Sequence, residues 1–286
     1  MTASVTIAIP TRGDRPDVRK TLESALASAH GGQLELLVVW SGHDSPPIWS
    51  NALPGDPRHL PVALLGLSSA RNAALEFATG DLVLLPDDDV ICSAGWFDSM
   101  MSTLTGGARI VGGPVTCKWP HGRPPWMSVE MERVFGSFEL GAGLHDLSPG
   151  EGLAGGNMGM WREAVLAIGG YDETLGTTGR GGGMGEENDL IDRALALGLQ
   201  VTYVPEAGVD HVIEARAVTR RNYLRRMYRF GRSMAIVRNP GGASRSRKMA
   251  SATKRAVKAP FVSNRMEQLG SASFELGSIR AALWPS

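Results

Sequence analysis

The fold is decided by the stretch DLVLLPDDD at residues 81–89, where four apolar residues lead through a proline into three consecutive aspartates. The apolar run predicts a buried β-strand. Three adjacent carboxylates repel one another, so we expect a positive charge beside Asp87, Asp88 and Asp89. In α/β sheets, ligands bind beyond the carboxyl ends of the strands, and these aspartates follow such an end.

The segments before this stretch predict alternating strands and helices, and hence a parallel α/β sheet. The expected strands are 5–9, ended by Pro10, then 34–39, a short one at 61–65, and 82–85. The expected helices are 16–29 and 68–78, the second capped by Ser68 or Ser69 and followed by Gly80. Three segments should therefore meet at one edge of the sheet: Pro10–Arg12, Trp40–Gly42 and Asp87–Asp89.

The pattern is weaker beyond residue 105. We expect helices at 93–104, 162–168 and 186–197, and strands at 109–111 and 201–204, the second of which should be the last strand. The glycine-rich segment at 155–160 is expected to lead into a helix, and a second glycine-rich tract at 176–185 precedes the helix at 186.

Composition restricts the class of protein. The chain has 286 residues, 43% of them hydrophobic, which is enough for a packed core. No apolar run approaches the roughly 18 residues that a membrane-spanning helix needs. The N-terminal residues lack the features of a signal peptide, and the two cysteines, Cys92 and Cys117, form no CxxC motif. We therefore expect a cytoplasmic protein without a disulfide framework or a thiolate metal site.

The formal net charge of zero conceals a strong asymmetry along the chain. Residues 1–214 carry 27 acidic and 13 basic side chains, whereas residues 215–258 carry 14 Arg and Lys and no acidic residue. The acidic body and the basic C-terminal segment are therefore expected to have different roles.

The three aspartates at 87–89 allow two interpretations. Clustered carboxylates on a loop after a strand can bind a hard divalent cation such as Mg²⁺ or Mn²⁺. Alternatively, one of them caps the following helix while the others are solvated.

A second acidic group, Glu186, Glu187 and Asp189, begins a predicted helix. Acidic side chains in a first turn can simply favour the helix dipole, but a carboxylate beside a metal-bound phosphate can also act as a general base. Asp210 and His211 follow the strand at 201–204. The histidine is either structural or a ligand suited to manganese.

An ordered series of motifs connects these groups. It comprises IPTR at 9–12, SARN at 69–72, GDLVLLPDDD at 80–89, GGNM at 155–158, GGYDE at 169–173, GEENDL at 185–190 and DH at 210–211. Over residues 4–212 this series resembles the family-2 glycosyltransferases. The resemblance implies the GT-A fold, an α/β, Rossmann-like architecture with a mixed, mainly parallel central sheet.

The resemblance also implies a domain organisation. Residues 1–214 would form the catalytic domain, with a nucleotide-binding half at 1–115 and an acceptor-binding half at 116–214. Residues 215–286 would form a basic, helical extension that is partly mobile.

The same resemblance implies the ligands. The donor would be a nucleotide-diphosphate sugar and the cofactor Mn²⁺ or Mg²⁺, held by Asp89 of a DxD motif with His211 as an additional ligand. The acceptor would be a small molecule, a polysaccharide or a lipid-linked molecule. The donor site would contain Pro10, Thr11, Arg12, Ser41, Arg71, Asp87, Asp88, Gly155 and Gly156.

Individual roles follow from the resemblance. Asp87 would lie near the ribose, Arg71 would neutralise phosphate or contact the nucleotide, and Gly155 and Gly156 would let the backbone approach the donor sugar or acceptor. Glu187 would be the general base and Glu186 would hold the acceptor. One base and a direct displacement imply inversion at the anomeric carbon. The tract 176–185 would act as a lid that excludes water.

The sequence departs from the family pattern at the nucleobase pocket. Trp40 or Ser41 stands where family members commonly carry a base-reading acid, and Arg12 replaces an aromatic residue. The donor's nucleobase and sugar are therefore left open.

Two other functions are compatible with the residues. A nucleotidyltransferase also places aspartates on a metal above a Rossmann-like sheet, but it releases pyrophosphate. A non-enzymatic protein could bind an anionic polymer or membrane through residues 215–258. That segment could instead dock on the acidic body, or contact the inner membrane face peripherally to meet a lipid-linked acceptor. Nucleic acid is not an expected partner, because the basic segment is not surrounded by a recognisable nucleic-acid-binding module.

Overall fold

The predicted strand at 82–85 is fully buried within an eight-stranded sheet. The computed structural model describes residues 3–13, 17–29, 34–64, 66–175, 185–238 and 265–283. These residues divide into two compact units. Unit 1 lies within the ranges 1–117, 136–174 and 186–212, and unit 2 within 118–135, 175–185 and 213–286.

The strands are, in chain order, β1 (Val5–Thr11), β2 (Leu34–Ser41), β3 (Arg58–Val62), β4 (Leu82–Pro86), β5 (Val90–Cys92), β6 (Ile110–Gly112), β7 (Val115–Lys118), β8 (His145–Asp146), β9 (Asn157–Trp161), β10 (Val201–Tyr203) and β11 (Val209–Val212). The α-helices are α1 (Val18–Ser28), α2 (Leu67–Phe77), α3 (Trp96–Thr105), α4 (Arg162–Ala167), α5 (Glu186–Ala196), α6 (Arg220–Arg238) and α7 (Arg265–Leu283). Short 3₁₀ helices cover Ile48–Ala52, Glu130–Phe135 and Ala215–Ala217.

The central sheet has the strand order β3-β2-β1-β4-β9-β6-β10-β8. Strands β3, β2, β1 and β4 are parallel, and β6 is parallel to β10. Strand β9 lies antiparallel between β4 and β6, and β8 is antiparallel to β10. The predicted α/β architecture with a mixed, mainly parallel sheet is confirmed.

Alternate residues of the strands pack against helices on the two faces of the sheet. On one face, Ile7 and Val38 lie in a core with Leu22 of α1 and Met100 of α3. On the other face, side chains of β1 and β2 pack with residues of α2 and α5, among them Ala8, Val39, Leu75, Leu190 and Ile191. The carboxyl ends of the parallel strands are thereby held at one edge, which positions the loops that follow them.

The prediction that Pro10 ends the first strand was wrong. Strand β1 continues to Thr11 because it pairs with β2 over its whole length, whereas its pairing with β4 covers only Val5–Ile7. Pro10 lies beyond the part of β1 that pairs with β4, so its missing N–H removes no hydrogen bond between these two strands.

Strand β9 was not recognised in the sequence, where its segment resembles a glycine-rich lead into a helix. Gly159 is required at its centre, because a Cβ there would lie 2.7 Å from Cδ2 of Leu84. The prediction that 201–204 is the last strand was also wrong. Strand β11 follows it and forms a second sheet, in the order β5-β11-β7.

The boundaries of α2 differ from the predicted ones. Gly66 occupies the N-cap position, while Ser68 and Ser69 lie inside the first turn and are buried. The helix ends at Phe77, before Gly80. Gly80 has a packing role instead, since a Cβ there would lie 2.6 Å from the Thr6 nitrogen.

Unit 2 contains the two longest helices of the described residues, which pack side by side and run in the same direction. The Ser273 hydroxyl of α7 donates to the Leu224 carbonyl of α6 at 2.8 Å, and the Ser278 hydroxyl donates to the Gly231 carbonyl at 2.7 Å. Residue numbers rise together on both helices, so the helices are parallel. In the described part of the chain, no helix is both long enough and apolar enough to cross a bilayer.

Glycines permit the close approach of α6 and α7. A Cβ on Gly231 would overlap the Phe274 carbonyl, and a Cβ on Gly277 would overlap the Tyr228 carbonyl. In both cases the obstacle is backbone, which cannot move aside as a side chain can.

We predict that Gly231→Ala lowers the free energy of unfolding by about 1–3 kcal/mol, the usual cost of overpacking. The matched control is Gly143→Ala, because no described atom lies within 4 Å of its new Cβ and its φ is outside the left-handed region. Urea unfolding followed by circular dichroism measures both variants. Equal stability of the two would contradict this account of the helix pair.

Candidate active site

Arg71 lies at the centre of the site, on α2 and with 1% of its surface exposed. Its Nη1 donates to Glu186 Oε1 at 2.9 Å, and its Nη2 donates to Asp87 Oδ1 at 3.0 Å and to the Gly155 carbonyl at 2.7 Å. One guanidinium thus joins the aspartate loop, the glycine segment before β9 and the start of α5. It is a positive charge of the kind that the aspartate run led us to expect.

The surroundings of Arg71 hold it in the charged form. Burial by itself lowers the pKa of Arg71, but the negative charge of Asp87 and then the groups of Tyr171 and Glu186 outweigh it and raise the pKa above its usual value. The guanidinium carbon lies 5.5 Å from the centre of the Tyr171 ring. Within the described residues, Nε of Arg71 is a buried donor with no hydrogen bond, so this donor is available to water or a ligand.

Gly155 and Gly156 lie where the backbone passes close to these charged groups. A Cβ on Gly156 would lie 2.5 Å from Asp87 Oδ2, and a Cβ on Gly155 would lie 3.2 Å from Arg71 Nη1. The Asp87 amide also donates to the Gly156 carbonyl at 3.0 Å. In this structure the two glycines make room for the aspartate and the arginine, whereas the resemblance implied room for donor or acceptor.

The end of β1 holds the second aspartate. The Thr11 hydroxyl donates to Asp88 Oδ2 at 2.5 Å and accepts from the Gly13 amide at 3.1 Å. Pro10 is buried in the strand, while the Arg12 side chain is exposed and its carbonyl accepts from His43 Nε2 at 2.6 Å. Thr11 therefore connects the first strand to the aspartate loop through a hydrogen bond.

Asp89 and His211 are brought together by the smaller sheet. Strand β11 pairs antiparallel with β5, placing His211 opposite Val90, and Asp89 Oδ2 lies 3.3 Å from His211 Nε2. Burial lowers the pKa of His211, but hydrogen bonds with Asp89 and Cys117 raise it to about 10. Gly136 leaves space for the ring, since a Cβ there would lie 3.2 Å from Nδ1.

The Asp89–His211 pair fits a divalent cation in its donor chemistry. A carboxylate oxygen and a neutral imidazole nitrogen both suit Mn²⁺, so a bound cation would displace the proton that the raised pKa keeps on His211. The two side chains are 13% and 18% exposed. Among the described residues, no group of three or more His, Cys, Asp or Glu side chains is arranged to hold a metal. A site with two protein ligands leaves coordination positions for phosphate oxygens and water.

Glu187 differs from Glu186 although they are neighbours on α5. Glu186 is 4% exposed and its carboxylate is paired with Arg71, whereas Glu187 keeps partial exposure and accepts from Asn188 Nδ2 at 2.9 Å. Burial and then the charge of Glu186 raise the pKa of Glu187 above its usual value, despite the opposing charge of Arg71. A carboxylate with a raised pKa can accept a proton near neutral pH.

Ser41 and Trp40, expected near the nucleobase, are buried and make hydrogen bonds within the protein. The Ser41 hydroxyl is buried and accepts from the Gly66 amide at 3.0 Å. Trp40 is fully buried, and its Nε1 donates to His59 Nδ1 at 3.1 Å. The Ser41 hydroxyl thus holds the loop before α2 and is already used in a hydrogen bond. The expected contact with the nucleotide-sugar donor would therefore need another atom of Ser41.

Several motif residues have structural contacts that the sequence did not reveal. Asn72 donates to the Tyr171 carbonyl at 2.9 Å and accepts from the Tyr171 amide at 2.8 Å. The side-chain Oδ1 of Asn157 accepts from Trp96 Nε1 at 2.8 Å, in the buried core. In the sequence, the only signal for Asn72 and Asn157 was that both lie inside the motifs quoted above. The expected lid at 176–185 lies outside the described residues except for Gly185.

Comparisons with known proteins identify the family and the fold. The profile of the family described as "Glycosyltransferase like family 2" matches residues 3–233. A glucosyl-dolichyl phosphate glucuronosyltransferase of Haloferax volcanii is 28% identical over 202 residues, which is 67% of this chain and 63% of that protein. The succinoglycan biosynthesis protein ExoM of Rhizobium meliloti is 26% identical over 230 residues, or 77% of this chain and 70% of that protein. The match thus spans less than two thirds of the first relative.

Solved structures share the fold. The mannosyltransferase PcManGT of Pyrobaculum calidifontis, in complex with GDP-Man and Mn²⁺, has a TM-score of 0.60 at 15% identity, covering 100% of this chain and 88% of its own. At this identity the similarity establishes the GT-A fold alone. Because the family profile covers most of the chain, this protein belongs to the glycosyltransferase-like family 2.

Proposed function

We propose that the protein is a metal-dependent, inverting glycosyltransferase that moves a sugar from a nucleotide-diphosphate sugar to an acceptor hydroxyl. The observation that carries the proposal is the arrangement around Arg71. This buried cation links Asp87, Gly155 and Glu186 beside the one carboxylate of the group, Glu187, that has a raised pKa and partial exposure.

The donor end of the proposed site is the loop at 87–89 with the end of β1. The buried Thr11 is hydrogen-bonded to Asp88, and the next residue, Arg12, is exposed. Asp89 and His211 would hold the cation, whose charge would offset that of the diphosphate during its departure. The structural relative with GDP-Man and Mn²⁺ supports a nucleotide-sugar donor and a divalent ion.

Glu187 is proposed as the general base. Its carboxylate would take the proton of the acceptor hydroxyl while that oxygen forms a bond to the anomeric carbon and the bond to the diphosphate oxygen breaks. A single displacement of this kind inverts the anomeric centre. The partial exposure of Glu187 supports this role, because a base must reach the acceptor.

Glu186 is proposed as a positioning residue, which replaces the acceptor contact implied by the family resemblance. Its carboxylate is almost fully buried and is used by Arg71. By fixing the guanidinium, it fixes Asp87 and Gly155 on the opposite side. It also raises the pKa of Glu187 through its charge.

The acceptor is proposed to be a hydroxyl of a glycan or glycolipid. The names of the two curated relatives refer to a glucosyl-dolichyl phosphate and to succinoglycan biosynthesis. Both involve a sugar that is joined to a larger carrier or polymer. The nucleobase stays open, since Ser41 and Trp40 are occupied by contacts within the protein.

The first prediction concerns the metal ligands. Calorimetric titration of UDP, GDP, dTDP, CDP and ADP should find one diphosphate that binds tightly only with Mn²⁺. We expect Asp89→Asn to remove the manganese-dependent gain in affinity, because the carboxylate of the proposed ligand pair loses its charge. The control is Glu76→Gln, the same acid-to-amide change at an exposed position of α2, which should bind as the wild type does. Metal-independent binding, or binding unaffected by Asp89→Asn, would overturn this part of the proposal.

The second prediction concerns the base. Glu187→Gln should lower kcat for sugar transfer by about 10²–10⁴-fold with little change in donor affinity, because only proton removal is lost. In the wild type, kcat/KM should fall as the pH is lowered, because the base must be ionised. The fall should occur well above the pH of roughly 4.3 at which an exposed glutamate titrates, since the pKa of Glu187 is raised. Asp192→Asn, an exposed change on the same helix, is the control. Full activity of Glu187→Gln would remove Glu187 from this role.

The third prediction concerns Arg71. Arg71→Met leaves the carboxylate of Glu186 buried without its cation, so we expect a loss of about 3–5 kcal/mol in the free energy of unfolding. A double change with Glu186→Gln should recover part of that loss. Arg19→Met breaks an exposed pair with Glu23 and should cost at most about 1 kcal/mol. Urea unfolding measures all three; a cost for Arg71→Met as small as that of Arg19→Met would show that the buried pairing stabilises little.

A further inference from the structure

Unit 2 contains a cavity of about 660 Å³. It is lined by the segment before and within the 3₁₀ helix at 130–135 and by the first two turns of α6 and α7. Its volume is within the range of sites that bind small molecules. No role has been given above to this cavity, and every residue around it belongs to unit 2.

The wall of the cavity is mainly apolar and adaptable. It is formed largely by six side chains: Trp126, Met127, Met131, Leu224, Met266 and Leu269. Unbranched methionines can adjust to ligands of varying shape. A second cavity of about 290 Å³ shares Met131 and Glu267 with the first and adds Met227 and Phe230. The apolar surface therefore extends along α6, as a long hydrocarbon chain would require.

Positive charge is concentrated at one end of the cavity. Arg220 and Arg265 line it, and they are the first residues of α6 and α7. Within the described residues, neither guanidinium is in an ion pair. Because the two helices are parallel, their positive dipole ends lie at the same end, and α6 has no acidic residue in its first turn. Glu267 also lines the cavity and offsets one of the two arginine charges.

The floor of the cavity is preformed by aromatic contacts. Trp126 meets Tyr223 edge-on with ring centres 6.1 Å apart, and the Arg220 guanidinium lies 6.0 Å from the Trp126 ring centre. Tyr223 in turn stacks on Phe135, over which Arg226 is held by a hydrogen bond to the Val134 carbonyl. The apolar wall and the cationic end are thus joined through one tryptophan.

We propose that this cavity binds a lipid phosphate with a single hydrocarbon chain. The phosphate lies between Arg220 and Arg265 at the helix starts, and the chain lies against Trp126 and the methionines. Arg220 and Arg265 are exposed and Glu267 offsets only one of their charges, so an apolar ligand alone would leave one positive charge at the cavity without a counter-charge. A free phosphate alone would leave the apolar wall exposed to water. An amphiphile with one anionic head satisfies both ends.

The test uses the full chain and dodecyl phosphate, kept below its critical micelle concentration, in isothermal titration calorimetry without nucleotide or metal. We expect binding of one molecule per chain. Dodecyl maltoside, with the same chain and a neutral head, and inorganic phosphate should each bind at least tenfold more weakly. Because neither nucleotide nor metal is present, the result is independent of the proposed transfer reaction.

Two pairs of substitutions identify the site. Arg220→Gln with Arg265→Gln should weaken dodecyl phosphate at least tenfold and leave the weak binding of dodecyl maltoside unchanged. The matched control, Arg221→Gln with Arg225→Gln, removes two exposed charges from the same helix that do not line the cavity, and should bind as the wild type does. Thermal unfolding verifies that both double variants are folded.

Three outcomes would overturn the proposal. Equal affinity for dodecyl maltoside would show a site for any hydrocarbon chain, and equal affinity for inorganic phosphate would show a simple anion site. An equal loss in the Arg221 and Arg225 control would show attraction by the general positive charge of α6. In the last case, binding to anionic vesicles over neutral ones would identify the helix as a membrane-contact surface instead.

Discussion

The candidate site depends on the burial of one guanidinium. Arg71 has almost no contact with solvent, and an isolated charge in that position would cost several kcal/mol. The cost is offset only when Asp87, Glu186 and the Gly155 carbonyl are all in place. These groups lie up to 115 residues from Arg71 in the sequence. The requirement to neutralise this charge therefore joins the sheet edge, the glycine segment and α5 into one structure.

The glycines around the site are consequences of the same constraint. Gly156 lets the backbone pass Asp87, and Gly155 lets it pass Arg71. The segment can do so because β9 enters the sheet antiparallel between β4 and β6, which brings its preceding loop to the carboxyl edge of β4. A reversal of one strand thus delivers backbone from the second half of the chain to aspartates of the first half.

The two long helices of unit 2 are joined by close packing. They approach through glycines and serines, whose small side chains allow contact close to the backbone. Parallel packing places two helix starts, each carrying an arginine, at one end. The basic segment is therefore more than a charged surface. Arg226 packs over Phe135 and bonds to backbone, while Arg221, Arg225 and Arg229 stay exposed.

The sequence alone determined the α/β class, most helices and the parallel strands of the first ninety residues, because these depend on local periodicity and on turn residues. It also placed Asp87, Arg71, Gly155 and Glu187 in one predicted site through their motifs. Tertiary structure decided which groups pair. That Arg71 binds Glu186, that Ser41 is occupied by the Gly66 amide, and that β9 and β11 are strands all depend on neighbours distant in the chain. Burial and long-range pairing leave no local period in a sequence, so only the folded chain reveals them.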